Sequence, residues 1–158
     1  AIRIISKEGN LANAADRDHC LQYMTAVPLI FGNLTAEHYE DDFHANNPII
    51  DEIRGKMEVQ EDERYTREYL EEDKRSIANA IQVFFKDGSS TENVAVEYPI
   101  GHRRRRKDGI PLLEQKFRNN LATRFTQKRS EQIFSLCKDQ KTLEKTPVNE
   151  FMDLFEGC

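Results

Sequence analysis

Val94-Ala-Val-Glu-Tyr-Pro-Ile-Gly-His-Arg-Arg-Arg-Arg-Lys-Asp-Gly-Ile-Pro-Leu-Leu-Glu-Gln-Lys-Phe117 is where the chain changes from one periodicity to another. Val94, Val96 and Tyr98 alternate with Ala95 and Glu97, the period of two expected of a half-buried strand. Beyond the arginines, Leu113, Phe117, Leu121 and Phe125 fall four apart, the spacing of one helical face. Upstream, Ile81, Val83 and Phe85 alternate with Gln82, Phe84 and Lys86, and Asp87-Gly88 supplies a turn. The pattern predicts a β-hairpin that exits into a cationic loop and then an amphipathic helix.

The remaining segments follow from the same reading. Residues 1–5 have the apolar character of a strand with no Met before it, so the sequence reads as a piece of a longer protein. Over residues 16–31 the apolar positions Cys20, Tyr23, Met24, Val27 and Phe31 predict one helix, which Pro28 should end or kink. Thr35 is placed as a cap with Leu34 stapling against Tyr39, and Asn47-Pro48 marks a second start leading into Ile49, Ile50, Ile53 and Met57. Residues 61–75 mix charges of both signs without an apolar period and predict a solvated connection. A further helix is expected over 129–138. A last one, opened by Thr146-Pro147, carries Val148, Phe151, Met152 and Phe155 at helical spacing. Strands and helices are segregated, so the predicted class is α+β: a small mixed domain with an antiparallel hairpin, followed by an all-helical C-terminal segment.

Composition narrows the function classes. The net charge is -5, and no run approaches the roughly 18 apolar residues of a membrane helix. The three cysteines, Cys20, Cys137 and Cys158, have no Cys-x-x-Cys spacing, which argues against a zinc ribbon, an ordinary iron-sulfur motif or a disulfide scaffold.

Against this acidic background, the five consecutive cations from Arg103 to Lys107 repel one another unless water, salt or an anion screens them. Three uses stand: solvated surface charge, a clamp for a small polycarboxylate or phosphate, or contact with a nucleic-acid backbone. Nucleic acid fits least, because the chain is acidic and the loop has no interleaved aromatic residue. In residues 15–24, helical spacing puts His19, Gln22 and Tyr23 on one face, where imidazole can exchange a proton and the phenol can donate one. The alternative is that Asp16 or Asp18 caps the helix and His19 is simply hydrogen-bonded. His38, Asp41, Asp42 and His44 have the residue types of a metal site, but acid-rich surface helices commonly show such pairs, and no metal is expected.

Four collinear blocks then resemble the MmgE/PrpD family: Asn13-Ala-Ala-Asp-Arg-Asp-His-Cys-Leu-Gln-Tyr-Met24, Glu72-Asp-Lys-Arg-Ser-Ile-Ala-Asn79, Val96-Glu-Tyr-Pro-Ile-Gly-His102 and Gly109-Ile-Pro-Leu-Leu-Glu-Gln-Lys-Phe-Arg118. The resemblance lies in the branch that removes water from 2-methylcitrate to give 2-methyl-cis-aconitate in propionate catabolism. In relatives such as cis-aconitate decarboxylase the loop reads more like Gly-x-Pro-x-x-Pro.

The resemblance implies a hydro-lyase that uses no cofactor, no metal and no iron-sulfur cluster. Residues 1–107 would belong to a small α+β domain, and residues 108–158 would pack on a large helical domain that precedes this piece. The implied partners are a small tricarboxylate substrate, that N-terminal helical domain and a second subunit in a homodimer, with no nucleic acid and no membrane. The implied compartment is the cytoplasm for a bacterial source and the mitochondrial matrix for a fungal one. His19 and Tyr23 become the expected catalytic residues. Arg17, His102, Arg103, Arg104, Arg105 and Arg106 become the expected substrate-binding ones, with Arg17, His19 and Tyr23 facing a cleft between domains. By itself the piece is expected to be inactive, since the family's catalytic residues lie largely in the N-terminal part. An alternative of another class is a folded structural or oligomerisation module.

Overall fold

A computed structural model describes residues 2–156 and shows an α+β chain divided into two compact units, Ala1–Glu63 and Arg64–Cys158. The first unit contains α1 (Ile2–Ile5), α2 (Ala14–Arg17), α3 (Leu21–Phe31), a 3-10 turn at Ala36–Tyr39, α4 (Asp41–Ala45) and α5 (Ile49–Arg54). The expected first strand is instead the helical turn α1, with Ala1 outside the described residues. A run this short carries no decisive period, and among the described residues of this unit there is no strand for it to pair with.

The single helix expected over 16–31 is broken. Asn13 caps α2, its side-chain oxygen accepting from the Asp16 N–H at 3.0 Å, and Cys20 is extended (φ -119, ψ 109) before α3 begins. Beyond the break, α3 continues through Pro28 to Gly32, whose φ of 84 gives a left-handed cap with its N–H donating to the Pro28 carbonyl at 2.9 Å. Proline therefore neither ends the helix nor replaces glycine as its stop.

α3 buries Tyr23, Ala26 and Val27 against α5, where Ile50 is also fully buried. Leu11 and Cys20 complete this core, and Leu34, Tyr39, Phe43, Ile53 and Met57 pack around it. Each large apolar side chain so buried contributes about 1.5–3 kcal/mol. Thr35 caps the 3-10 turn as expected, its N–H donating to His38 Nδ1 at 2.8 Å.

The second unit takes up the chain at Arg64, the second residue of α6 (Glu63–Leu70), where the sequence predicted a solvated connection. Glu68 lies four residues after Arg64, an ion-pair spacing that supports a helix without an apolar period, and it also holds Lys74 at 2.8 Å. Lys74 in turn reaches Glu97 at 3.1 Å, linking α6 to the hairpin. The hairpin pairs β1 (Asn79–Ile81) with β2 (Val94–Val96) antiparallel, Asn79 opposite Val96 and Ile81 opposite Val94. A bridge between Phe84 and Ser90 closes its tip, where Gly88 takes the positive φ that the turn needs.

A 3-10 turn at Arg103–Arg105 leads straight into α7 (Arg106–Ala122), so the expected cationic loop is itself helical. Then come α8 (Gln127–Lys138), capped by Thr126, α9 (Gln140–Leu143), capped by Asp139, and α10 (Val148–Asp153). α7 and α8 pack together through Leu121, Ile133 and Phe134, with Phe117, Phe125, Leu154 and Phe155 around them. Of the predicted α7 stripe, Leu113 remains exposed.

Candidate functional site

The arginine turn is built from the end of the hairpin. His102 is the N-cap of the 3-10 turn: its Nδ1 accepts from the Arg104 N–H at 3.2 Å, and its Nε2 lies 3.2 Å from the Arg75 carbonyl. A carbonyl can only accept, so Nε2 donates to Arg75, and both ring nitrogens are engaged. Its ring also packs against Tyr98, 4.6 Å between centroids.

The four arginines divide by what they touch. Arg104 donates to the Asp73 carbonyl and lies over the Tyr98 ring at 5.1 Å, a cation–π contact. Arg105 donates to the Tyr98 carbonyl at 3.1 Å. Arg103 and Arg106 are exposed and have no hydrogen bond or ion pair among the described residues. Two of the four thus hold the turn in shape, and two project charge from it.

The turn is seated closely on α7. A Cβ placed on Gly109 would lie 2.2 Å from the Ile100 carbonyl oxygen, so only glycine lets the first turn of the helix approach the 99–101 bend this closely. An open cavity of about 500 Å³ lies beside the turn, lined by Arg75 and Arg103 together with Tyr69, Ile77 and Pro99. Sequence reasoning assigned no role to Arg75. Its one signal was membership of the 72–79 block that carried the family resemblance.

The other expected site residues belong to the first unit. Arg17 is fully buried, donating to the carbonyls of Tyr39 at 2.8 Å and Leu11 at 3.3 Å and pairing with Asp41. Tyr23 is fully buried too, and its hydroxyl donates to the His38 carbonyl at 2.6 Å. Burial pushes the Tyr23 phenol above its ordinary value, because the phenolate would lose its water.

His19 lies before α3 in the break, not on its face, so the expected grouping of His19 with Gln22 and Tyr23 on one helical surface does not form. Gln22 and Tyr23 point inward. His19 is exposed, with Nδ1 2.5 Å from Asp18 Oδ1. Asp18 therefore engages the imidazole with its side chain while its backbone is the C-cap of α2, its N–H donating to the Ala14 carbonyl at 2.9 Å, and it is not the N-cap of a helix. His38, Asp41 and His44 each have other partners: the Thr35 N–H, Arg17 and Asp51, respectively. Among the described residues no three His, Cys, Asp or Glu side chains gather as a metal site, and no helix is long and apolar enough to cross a membrane.

In this α+β fold His102, Arg104 and Arg105 brace a turn on which Arg103 and Arg106 are exposed. The MmgE/PrpD C-terminal domain profile matches residues 1–140, and the chain belongs to that family. It is 54% identical to the 2-methylcitrate dehydratase of Cupriavidus necator and 52% identical to that of Escherichia coli K12, over 98% of this chain and 32% of each relative. It is also 47% identical to the mitochondrial 2-methylcitrate dehydratase of Yarrowia lipolytica, over 98% of this chain and 29% of that protein. The chain thus spans about a third of the length of these relatives.

Proposed function

We propose that this chain is the C-terminal third of a hydro-lyase that removes water from 2-methylcitrate, and that the turn at 102–106 holds a carboxylate of that substrate. One observation carries the assignment of the turn: Arg104 and Arg105 are engaged with backbone carbonyls, whereas Arg103 and Arg106 have no partner among the described residues. Guanidinium groups bind carboxylates through two parallel hydrogen bonds, so Arg103 and Arg106, carried on a braced turn, fix a polycarboxylate in orientation as well as in charge.

Dehydration also needs a base for the proton next to a carboxylate and an acid for the departing hydroxyl. His19 suits proton transfer, because Asp18 engages Nδ1 and leaves Nε2 available. Arg17 and Tyr23 fit structural roles, since every hydrogen bond and ion pair they make is to their own unit's backbone or to Asp41, and the Tyr23 ring packs on Tyr39 and His44. In the full-length protein, residues 1–107 would form the small domain and 108–158 would return to a helical domain supplied by the N-terminal part. The exposed Ile110, Leu112, Leu113, Val148 and Met152 support that return.

The reading is tested by incubating the purified full-length protein with 2-methylcitrate and following the ultraviolet absorbance of the conjugated double bond that dehydration creates. Formation of 2-methyl-cis-aconitate is expected. Release of carbon dioxide from cis-aconitate without dehydration of 2-methylcitrate would move the protein to another branch of the family.

A further inference from the structure

The turn after α6 ends on a residue whose backbone suits glycine. Arg75 has φ 45, the left-handed region in which a side chain crowds the following carbonyl. Its N–H donates to the Glu71 carbonyl at 2.8 Å, which places it just after a helical turn, where glycine is the usual stop. Its own carbonyl accepts from His102 Nε2, tying this strained residue to the arginine turn. The guanidinium has no hydrogen bond or ion pair among the described residues. Backbone strain of this kind persists where the surroundings enforce it, and it concentrates at ligand-binding sites.

Arg75 and Arg103 line the same cavity of about 500 Å³, with Tyr69, Ile77 and Pro99 as its apolar wall. Two unpartnered guanidinium groups on one cavity repel until an anion joins them. We infer that Arg75 is a second carboxylate-binding residue, and that the cavity takes a polycarboxylate whose short aliphatic spine lies against the apolar wall while Arg75 and Arg103 hold separate carboxylates. This rests on the reading of the arginine turn as substrate-binding, and it adds a residue from a different segment.

The test uses the full-length protein and tricarballylate, a tricarboxylate with no hydroxyl to lose. Calorimetric titration compares wild type, Arg75→Gly and Arg75→Lys, with turnover of 2-methylcitrate followed in parallel. Glycine accepts the backbone of residue 75, so Arg75→Gly keeps or raises the thermal midpoint while binding weakens by about 10- to 100-fold. Arg75→Lys recovers part of the affinity, since it restores the charge but not the bidentate fork. Wild-type affinity in Arg75→Gly, loss of its fold, or no tricarballylate binding by the wild type overturns the inference. Arg75-dependent binding without turnover of 2-methylcitrate leaves it standing and overturns the dehydratase reading.

Discussion

Gly109→Ala sets two well-defined effects against each other. Glycine inside α7 is unfavourable relative to alanine by about 1 kcal/mol, so helix propensity alone makes the substitution stabilising. The structure requires the opposite. The new Cβ would lie 2.2 Å from the Ile100 carbonyl oxygen and 3.3 Å from its carbon, and neither is a side-chain atom that can swing away. Ordinary contact is about 1 Å longer, so the start of α7 must move off the 99–101 bend by that amount. Such overpacking costs about 1–3 kcal/mol, and a clash with backbone belongs in the upper half of that range. The net expectation is a loss of about 1–2 kcal/mol. With a urea slope of about 2 kcal/mol per molar for a chain of this size, the unfolding midpoint falls by about 0.5–1 M. Circular dichroism during urea titration of wild type and variant measures it. A midpoint that rises, as propensity predicts, would refute the close approach that seats the arginine turn on α7.

Three further predictions separate structural from functional roles. His102→Asn keeps an acceptor for the Arg104 N–H but falls short of the Arg75 carbonyl, whereas His102→Gln does the reverse. Each should lower the thermal midpoint by the equivalent of about 1 kcal/mol, and Asn alone should raise KM in the full-length protein by releasing Arg75. The hydrogen bond from Lys74 holds the Glu68 carboxyl below its ordinary value, and hydrogen bonds to Glu68 and then Glu97 hold the Lys74 ammonium above its own. The Glu68 contribution is therefore complete above about pH 4.3 and fades as pH falls through its lowered value, while that of Lys74 is complete below about pH 10.4 and fades as pH rises through its raised one. Lys74→Met should flatten both limbs of the midpoint-against-pH curve. Tyr23→Phe leaves the buried His38 carbonyl without its donor and should cost about 1–3 kcal/mol with kcat unchanged, whereas His19→Ala should lower kcat by about 10²- to 10⁴-fold with stability unchanged. A kcat loss in Tyr23→Phe at full stability would restore the phenol to the chemistry.

The hairpin and the last helices were legible because their signals are local. Val94, Val96 and the Asp87-Gly88 turn need no knowledge of what packs on them, and Phe117 and Leu121 fall on one face wherever the helix lies, whereas Phe125 lies beyond the end of α7 at Ala122. What failed depended on partners distant in sequence. Nothing in residues 16–31 announces a break, because the break accompanies a buried Arg17 whose acceptors come from Leu11, Tyr39 and Asp41. The charge-rich α6 was missed for a related reason: Glu68 has cations on both sides, Arg64 within the helix and Lys74 beyond it, where an apolar stripe would ordinarily mark a helix. At the site, the sequence singled out the arginine run but could not divide it. That division depends on the carbonyls of Asp73 and Tyr98, which carry no residue-type signal. Arg75 was hidden for the same reason, since a positive φ at an arginine is visible only once the backbone is folded.

The most direct measurement of the central claim compares Arg103→Ala with Arg104→Ala in the full-length protein, recording KM for 2-methylcitrate and the thermal midpoint of each. Arg103 has no internal partner, whereas Arg104 is bonded to the Asp73 carbonyl and lies over Tyr98. The account predicts that Arg103→Ala raises KM by about 10- to 100-fold at an unchanged midpoint, while Arg104→Ala lowers the midpoint. An unchanged KM with a lowered midpoint in Arg103→Ala would contradict it, making the arginine turn a structural brace and not a carboxylate site.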